Sequence, residues 1–179
     1  MKTCALLAFL TLLCGAAGAE PPDENRVWTV TLQSAEGEPW CEATALGGDQ
    51  LGRVYTVALR LTEAGVDLVL SYDGEAGEAG QVSISFDSWP AGSAAVAVRG
   101  SMDRAYRGRV RHQPTVIAPI SADLFTTTLA PALLQSRTLT VRLGERRFDA
   151  ALYRFDGAAR GLTRCLEAMP RNPRGQRFR

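Results

Sequence analysis

Alternation of apolar and polar residues governs the chain from Arg26 onward. In "RVWTVTLQ" the residues Trp28, Val30 and Leu32 fall on one side, the period of a half-buried strand. "WCEATAL" follows the turn-forming "AEGEP" and places Cys41, Ala43 and Ala45 together, so Cys41 is expected to face inward. After "GGDQLG", the stretch "RVYTVALRL" aligns Tyr55, Val57, Leu59 and Leu61. "VDLVLSY" and "QVSISF" align Val66, Leu68 and Leu70, then Val82, Ile84 and Phe86. The linker "DGEAGEAG" between these two suits neither helix nor strand, which predicts a hairpin with a long acidic tip. "SAAVAVRG" and "AYRGRVRH" are further strand candidates, the first alanine-rich and the second arginine-rich.

Near Pro119 the period changes. "SADLFTTTLAPALLQS" opens on Ser121, an N-cap residue type, with Asp123 in the first turn, and it contains Pro131. This predicts two helical turns, a break near Ala130 and a second short helix with Pro131 as its first residue. Alternation returns in "RTLTVRL" and "RFDAALYRF", separated by "GE", a tight hairpin turn. The last element is "FDGAARGLTRCLEAMP", in which Ala158, Leu162, Cys165, Leu166 and Met169 form one helical stripe, Asp156 is the expected cap and Pro170 the stop. The predicted fold is mainly β, an antiparallel sandwich or barrel of about eight or nine strands, with a short helix before the last hairpin and a C-terminal helix.

The first residues read differently. Lys2, the apolar run Cys4 to Leu13 and the small residues Ala17, Gly18 and Ala19 predict a signal peptide over 1–19, cleaved after Ala19. Cleavage before Cys14 to give a lipoprotein is the alternative, although Leu13 is bulky where a small residue is usual. Residues 20–25, "EPPDEN", then form a flexible leader, 26–170 a single β-rich domain, and 171–179 a basic, disordered tail. Periplasmic or secreted location follows from this reading. No later apolar run is long enough to span a bilayer.

Charge and cysteine usage narrow the function classes. The formal net charge is +1 with Lys2 included, so the secreted product is near neutral and is not expected to bind nucleic acid. Lys2 is the only lysine, which removes Schiff-base and Ser-Lys chemistry once it is cleaved. Of the four cysteines, Cys4 and Cys14 leave with the signal peptide. Cys41 and Cys165 remain as an even pair in an oxidising compartment, and a disulfide between them is expected.

Catalytic constellations are hard to assemble from what is left. His112 is the single histidine and no G-x-S-x-G elbow occurs. Zinc would need three or four ligands that the chain does not group together, and no cofactor is implied. The acidic tip Asp73, Glu75 and Glu78 could offer oxygens to calcium but lacks the EF-hand spacing. A pair of carboxylates brought together only in space would still permit a hydrolase. The best-defined chemistry is a row of arginines: Arg107, Arg109 and Arg111 alternate along one strand candidate, with Arg99 and Arg104 just upstream. Guanidinium groups on one strand face can grip carboxylates or phosphates bidentately, on a protein or on an anionic envelope component. Such charges also serve simply to deter edge pairing.

From about Asp123 to Ala168 the order is a short helix, "LLQSRTLTVRL", "RRFDAALYRF" and "DGAARGLTRCLEAM". This resembles the C-terminal half of the small secreted bacterial proteins of the invasion-associated locus B family, in which a helix leads to a strand pair and a closing helix. Gly157, Ala158 and Leu162 stand where that family's closing-helix pattern falls, and "VWTV" at 27–30 is similar to its early Trp-containing strand. The resemblance implies a periplasmic β-rich domain with no catalytic residues to carry over. The expected role is therefore a non-enzymatic secreted binding or envelope-accessory protein of a Gram-negative bacterium. Inhibition of a secreted enzyme is one form of it, and a carboxylate-dependent hydrolase is the alternative.

Overall fold

The computed structural model of the protein describes residues 28–35, 38–49, 52–62, 65–73, 80–103 and 113–169. Within them the chain forms two antiparallel sheets and a late helical layer, a sandwich rather than a closed barrel. The larger sheet holds β1 (Thr29–Ala35), β2 (Glu38–Gly48), β3 (Val54–Thr62), β4 (Gly65–Tyr72), β7 (Ser101–Asp103) and β8 (Thr115–Ile120). Its order is β1-β2-β3-β4-β8-β7. The smaller sheet, in the order β10-β9-β5-β6, holds β5 (Gln81–Phe86), β6 (Val96–Arg99), β9 (Thr138–Leu143) and β10 (Arg146–Ala151). Ten strands lie among the described residues; β7 and β8 are additions to those that alternation predicts, and the candidate strand "AYRGRVRH" lies outside the described residues.

One expected pairing is corrected. β4 and β5 do not form a hairpin: β4 pairs with β3 and β8, whereas β5 pairs with β6 and β9 in the other sheet. Both strands carry an apolar face, so each can line the same core from opposite sides, and a polar linker suits the roughly 10 Å crossing between sheets. By contrast, β9 and β10 do form the expected hairpin, with Arg146 opposite Leu143. Gly144 has φ +58°, which suits the glycine-first form of a two-residue turn.

The inward phase of each strand builds one core. Val57, Leu59, Leu68, Leu70 and Tyr72 from the larger sheet meet Val82, Ile84, Leu139, Val141 and Phe148 from the smaller, and all are buried. Aromatic edges lock the layers together: Phe148 lies 5.2 Å from Tyr55 at 75° and 5.5 Å from Tyr72, centroid to centroid. Trp28 donates its indole N–H to the Ala151 carbonyl at 2.7 Å and packs edge-on against Phe155 at 5.0 Å.

The helical region before β9 is continuous where a break near Ala130 is expected. α1 (Ala122–Leu124) passes through a π-helical turn (Phe125–Leu129) into α2 (Ala130–Gln135). Ser121 caps α1 as predicted, accepting the Leu124 N–H at 3.2 Å. Pro131 has no N–H to donate, and the widened turn, in which the Ala130 N–H bonds the Phe125 carbonyl, absorbs that loss without ending the helix. The C-terminal helix α3 (Phe155–Ala168) starts from Arg154, whose φ of +58° turns the chain. Asp156 is therefore not the cap. It sits in the first turn, where it favours the helix dipole and pairs with Arg160 at 2.9 Å.

β10 of the smaller sheet reaches β2, and α3 packs beside it against β1 and β2. Gly161 permits the close approach, since a Cβ on it would lie 3.0 Å from a Val30 methyl. Leu32 is 52 % exposed although it shares the inward phase with Trp28 and Val30. The cause is its place on the last strand of the larger sheet.

Candidate anion-binding face

Cys41 and Cys165 are joined by a disulfide, as expected. It fastens α3 to β2, with Cys41 fully buried, and closes a loop of 124 residues in sequence separation. The bond fixes the scaffold and takes both thiols out of any nucleophilic or metal-binding role.

Of the arginines singled out in the sequence, Arg99 is exposed at the end of β6. Arg104, Arg107, Arg109 and Arg111 lie outside the described residues, as do His112, Glu75 and Glu78. Asp73 is exposed, and its carbonyl accepts a hydrogen bond from the Arg146 guanidinium at 2.9 Å. Among the described residues no group of three or more His, Cys, Asp or Glu side chains could hold a metal ion.

Arg99 shares an outward face with two arginines that the sequence reading did not single out. Because Val82, Ile84, Val141, Leu143 and Phe148 point into the core, the alternate residues of the smaller sheet point out: Gln81 and Ser83 on β5, Arg142 on β9, Arg147 and Asp149 on β10, Arg99 on β6. The pairing sets Arg147 opposite Arg142, Arg142 opposite Ser83, and Gln81 opposite Arg99. Residues directly opposite carry β-carbons about 5 Å apart, so Arg142 and Arg147 form a like-charge cross-strand pair, an arrangement that costs stability.

The surroundings of the two differ. Arg147 donates from Nε to Asp149 Oδ1 at 2.9 Å, and the same oxygen accepts the Thr140 hydroxyl at 2.6 Å. The hydrogen bond to Asp149 first, and its charge second, push Arg147 above its usual value. Arg142 and Arg99 make no ion pair and no side-chain hydrogen bond among the described residues. The face thus presents two uncompensated guanidinium groups and one half-compensated one, over a floor of serine, threonine and glutamine. Chemically it can donate several N–H groups to an anion.

A second polar cluster lies on the outward side of the larger sheet. Glu42 is buried at 4 % exposure and accepts from the Trp40 indole at 3.3 Å and the Thr44 hydroxyl at 3.1 Å. Arg60 pairs with it at 3.6 Å and stacks over the Trp40 ring at 4.9 Å. Asp67 stands opposite Arg60 on the next strand. Burial pushes its carboxyl above the usual carboxylate value, against the opposing pull of Arg60. Both Glu42 oxygens are engaged, so this cluster holds the sheet rather than awaiting a ligand.

No protein-family model and no curated protein sequence matches the chain. A solved structure does. The chain is similar in fold to invasion associated protein B from Bartonella henselae. The superposition covers 80 % of this chain and 95 % of that one with a TM-score of 0.52, at 16 % sequence identity. The likeness to invasion associated protein B thus extends well beyond the C-terminal helix, hairpin and helix on which the sequence resemblance rests. At this identity it concerns the fold and carries no residue of the arginine face with it.

The sequence reading missed Arg142 and Arg147, although the signal was available. In "TLTVRLGERRFDAA" the phase set by Leu139, Val141, Phe148 and Ala150 puts both arginines outward, and a two-residue turn at Gly144 brings them opposite each other. For these two arginines the cross-strand partner is the informative feature.

Proposed function

We propose that this protein is a non-enzymatic, secreted envelope-accessory protein that binds an acidic partner through Arg99, Arg142 and Arg147 on the smaller sheet. The observation that carries the reading is the Arg142–Arg147 pair, in which the neighbouring acid, Asp149, pairs with Arg147 and not with Arg142. A sheet face that keeps like charges opposed gives up stability, and an anion placed between them recovers it. The periplasm of a Gram-negative bacterium is the setting that the signal-peptide reading and the disulfide support. The second cluster lends a hydrolase no support, since Arg60 stands between its two acids, Glu42 and Asp67, and pairs with Glu42.

The test is direct binding to two anionic probes, polyglutamate for carboxylates and polyphosphate for phosphates, measured by titration at low and physiological salt. The protein should bind at least one with an affinity that falls as salt rises. The triple variant Arg99→Ala, Arg142→Ala, Arg147→Ala should weaken binding by tenfold or more, about 1.4 kcal/mol. Equal affinity of the triple variant and the parent for both probes would remove this face from the function.

A further inference from the structure

Among the described residues four strands end the two sheets, and three of them carry charges that hinder pairing with another chain. β7 contains Asp103, β6 has four residues and ends on Arg99, and β10 carries Arg146, Arg147 and Asp149 within six. Short length and charge are the usual means by which an edge strand is kept from meeting a neighbour. β1 is different: its seven residues, TVTLQSA, contain no charge and no proline. It pairs with β2 on one side, and its other side has no backbone hydrogen-bond partner among the described residues.

The strand is also self-complementary. Leu32 is the fourth of the seven residues and is 52 % exposed. A two-fold axis through it would set Leu32 against the partner's Leu32 and Val30 against the partner's Ser34. Thr31 would then face the partner's Gln33. These last two side chains already hydrogen-bond within one strand, the Gln33 amide donating to the Thr31 hydroxyl at 3.2 Å, so the same groups can bond across the axis. A neutral strand meets its own copy without repulsion, whereas the arginine-bearing β10 would not.

We propose that two copies of this chain pair antiparallel along β1, Leu32 against Leu32, and join their six-stranded sheets into one. Such an interface is isologous and closes after two copies. It also shields both exposed leucines and satisfies both open edges. A single strand pair buries less than the roughly 1,200 Å² of a standard stable interface, so the association is weak, with a dissociation constant on the order of 10–100 μM. The inference rests on the β1 edge and is independent of the arginine face.

Sedimentation velocity of the oxidised protein, from about 1 to about 500 μM, brackets that constant. The weight-average mass should rise from that of one chain towards twofold. Leu32→Arg and Leu32→Glu, both at an exposed site, should each remain monomeric, with far-ultraviolet circular dichroism unchanged. Their equimolar mixture should associate again, because opposite charges then meet at the axis. A parent that stays monomeric throughout, a Leu32→Arg variant that associates like the parent, or a mixture that does not recover would each overturn the proposal. Amide exchange gives a second reading. The β1 amides should be slowed at high concentration only, and equal protection at low concentration would mean that a segment of the same chain occupies the edge instead.

Discussion

The Tyr55 hydroxyl, from the larger sheet, donates to the Asp149 carbonyl of the smaller sheet at 2.6 Å and accepts the Asp149 N–H at 3.0 Å. One side chain thus ties the backbones of β3 and β10 across the core. The ring reaches them by lying over Gly47, its register partner on β2, where an added Cβ would fall 2.7 Å from the hydroxyl oxygen. Glycine is needed there for space, since its φ is not in the left-handed region.

Removing the hydroxyl should therefore cost more than an average surface change. Tyr55→Phe keeps the packing on Phe148 but leaves two partly buried backbone groups without their partner, a loss of about 1–3 kcal/mol. Gly47→Ala should be comparably destabilising because the ring must leave its position. Burial raises the Tyr55 phenol above its ordinary value of 10.0, although the hydrogen bond with the Asp149 backbone opposes this. A raised folded-state value contributes stability that is whole below the unfolded value and is lost as pH rises through the folded one. The gap in urea stability between parent and Tyr55→Phe should accordingly narrow above about pH 10.

Cleaving the disulfide should have the largest single effect on the fold. For a loop of the 124-residue separation between Cys41 and Cys165, the chain-entropy account gives about 5 kcal/mol, a large share of the stability of a domain this size. The double variant Cys41→Ser, Cys165→Ser should show a strongly lowered midpoint in urea. Reduced parent protein should match it. An unchanged midpoint would mean that α3 is held by packing alone.

These features differ in how far they could be read from the chain. Alternation located the inward faces of nearly all the long strands, and the helical stripe of α3 with the inward phase of Cys41 made the disulfide legible. Hydrophobic period carries no information on which sheet a strand joins, which is why β4 and β5 read as a hairpin. It is equally silent on edges: Leu32 shares the phase of Val30, and only the order of strands leaves it exposed. In the candidate site the phase and turn of the last hairpin could place Arg142 opposite Arg147, but not either of them on the sheet that holds Arg99, which depends on strand order.

Asp67 provides a test of the cluster on the larger sheet. Its carboxyl is raised by burial, with Arg60 pulling the other way, so the fold favours the protonated acid. The contribution is therefore full below the ordinary value of 3.8 and disappears as pH rises through the raised one. Asp67→Asn should raise the melting temperature relative to the parent at pH 7, and the difference should shrink on acidification towards pH 3.5. A difference that grows at low pH would mean that the attraction of Arg60 outweighs the burial.

Arg142 separates a structural role from a binding one. With no partner among the described residues and Arg147 directly opposite, its charge adds repulsion and no compensating bond. Arg142→Gln should leave stability unchanged or raise it by up to about 0.5 kcal/mol, while weakening binding to the anionic probe. Arg147→Gln relieves the same repulsion but gives up the bond to Asp149, so its stability should stay nearer the parent's. Stability and affinity moving in opposite directions at one residue is the mark of a charge kept for a ligand. If Arg142→Gln lowers both together, the guanidinium is part of the scaffold and the anion-binding face loses its central member.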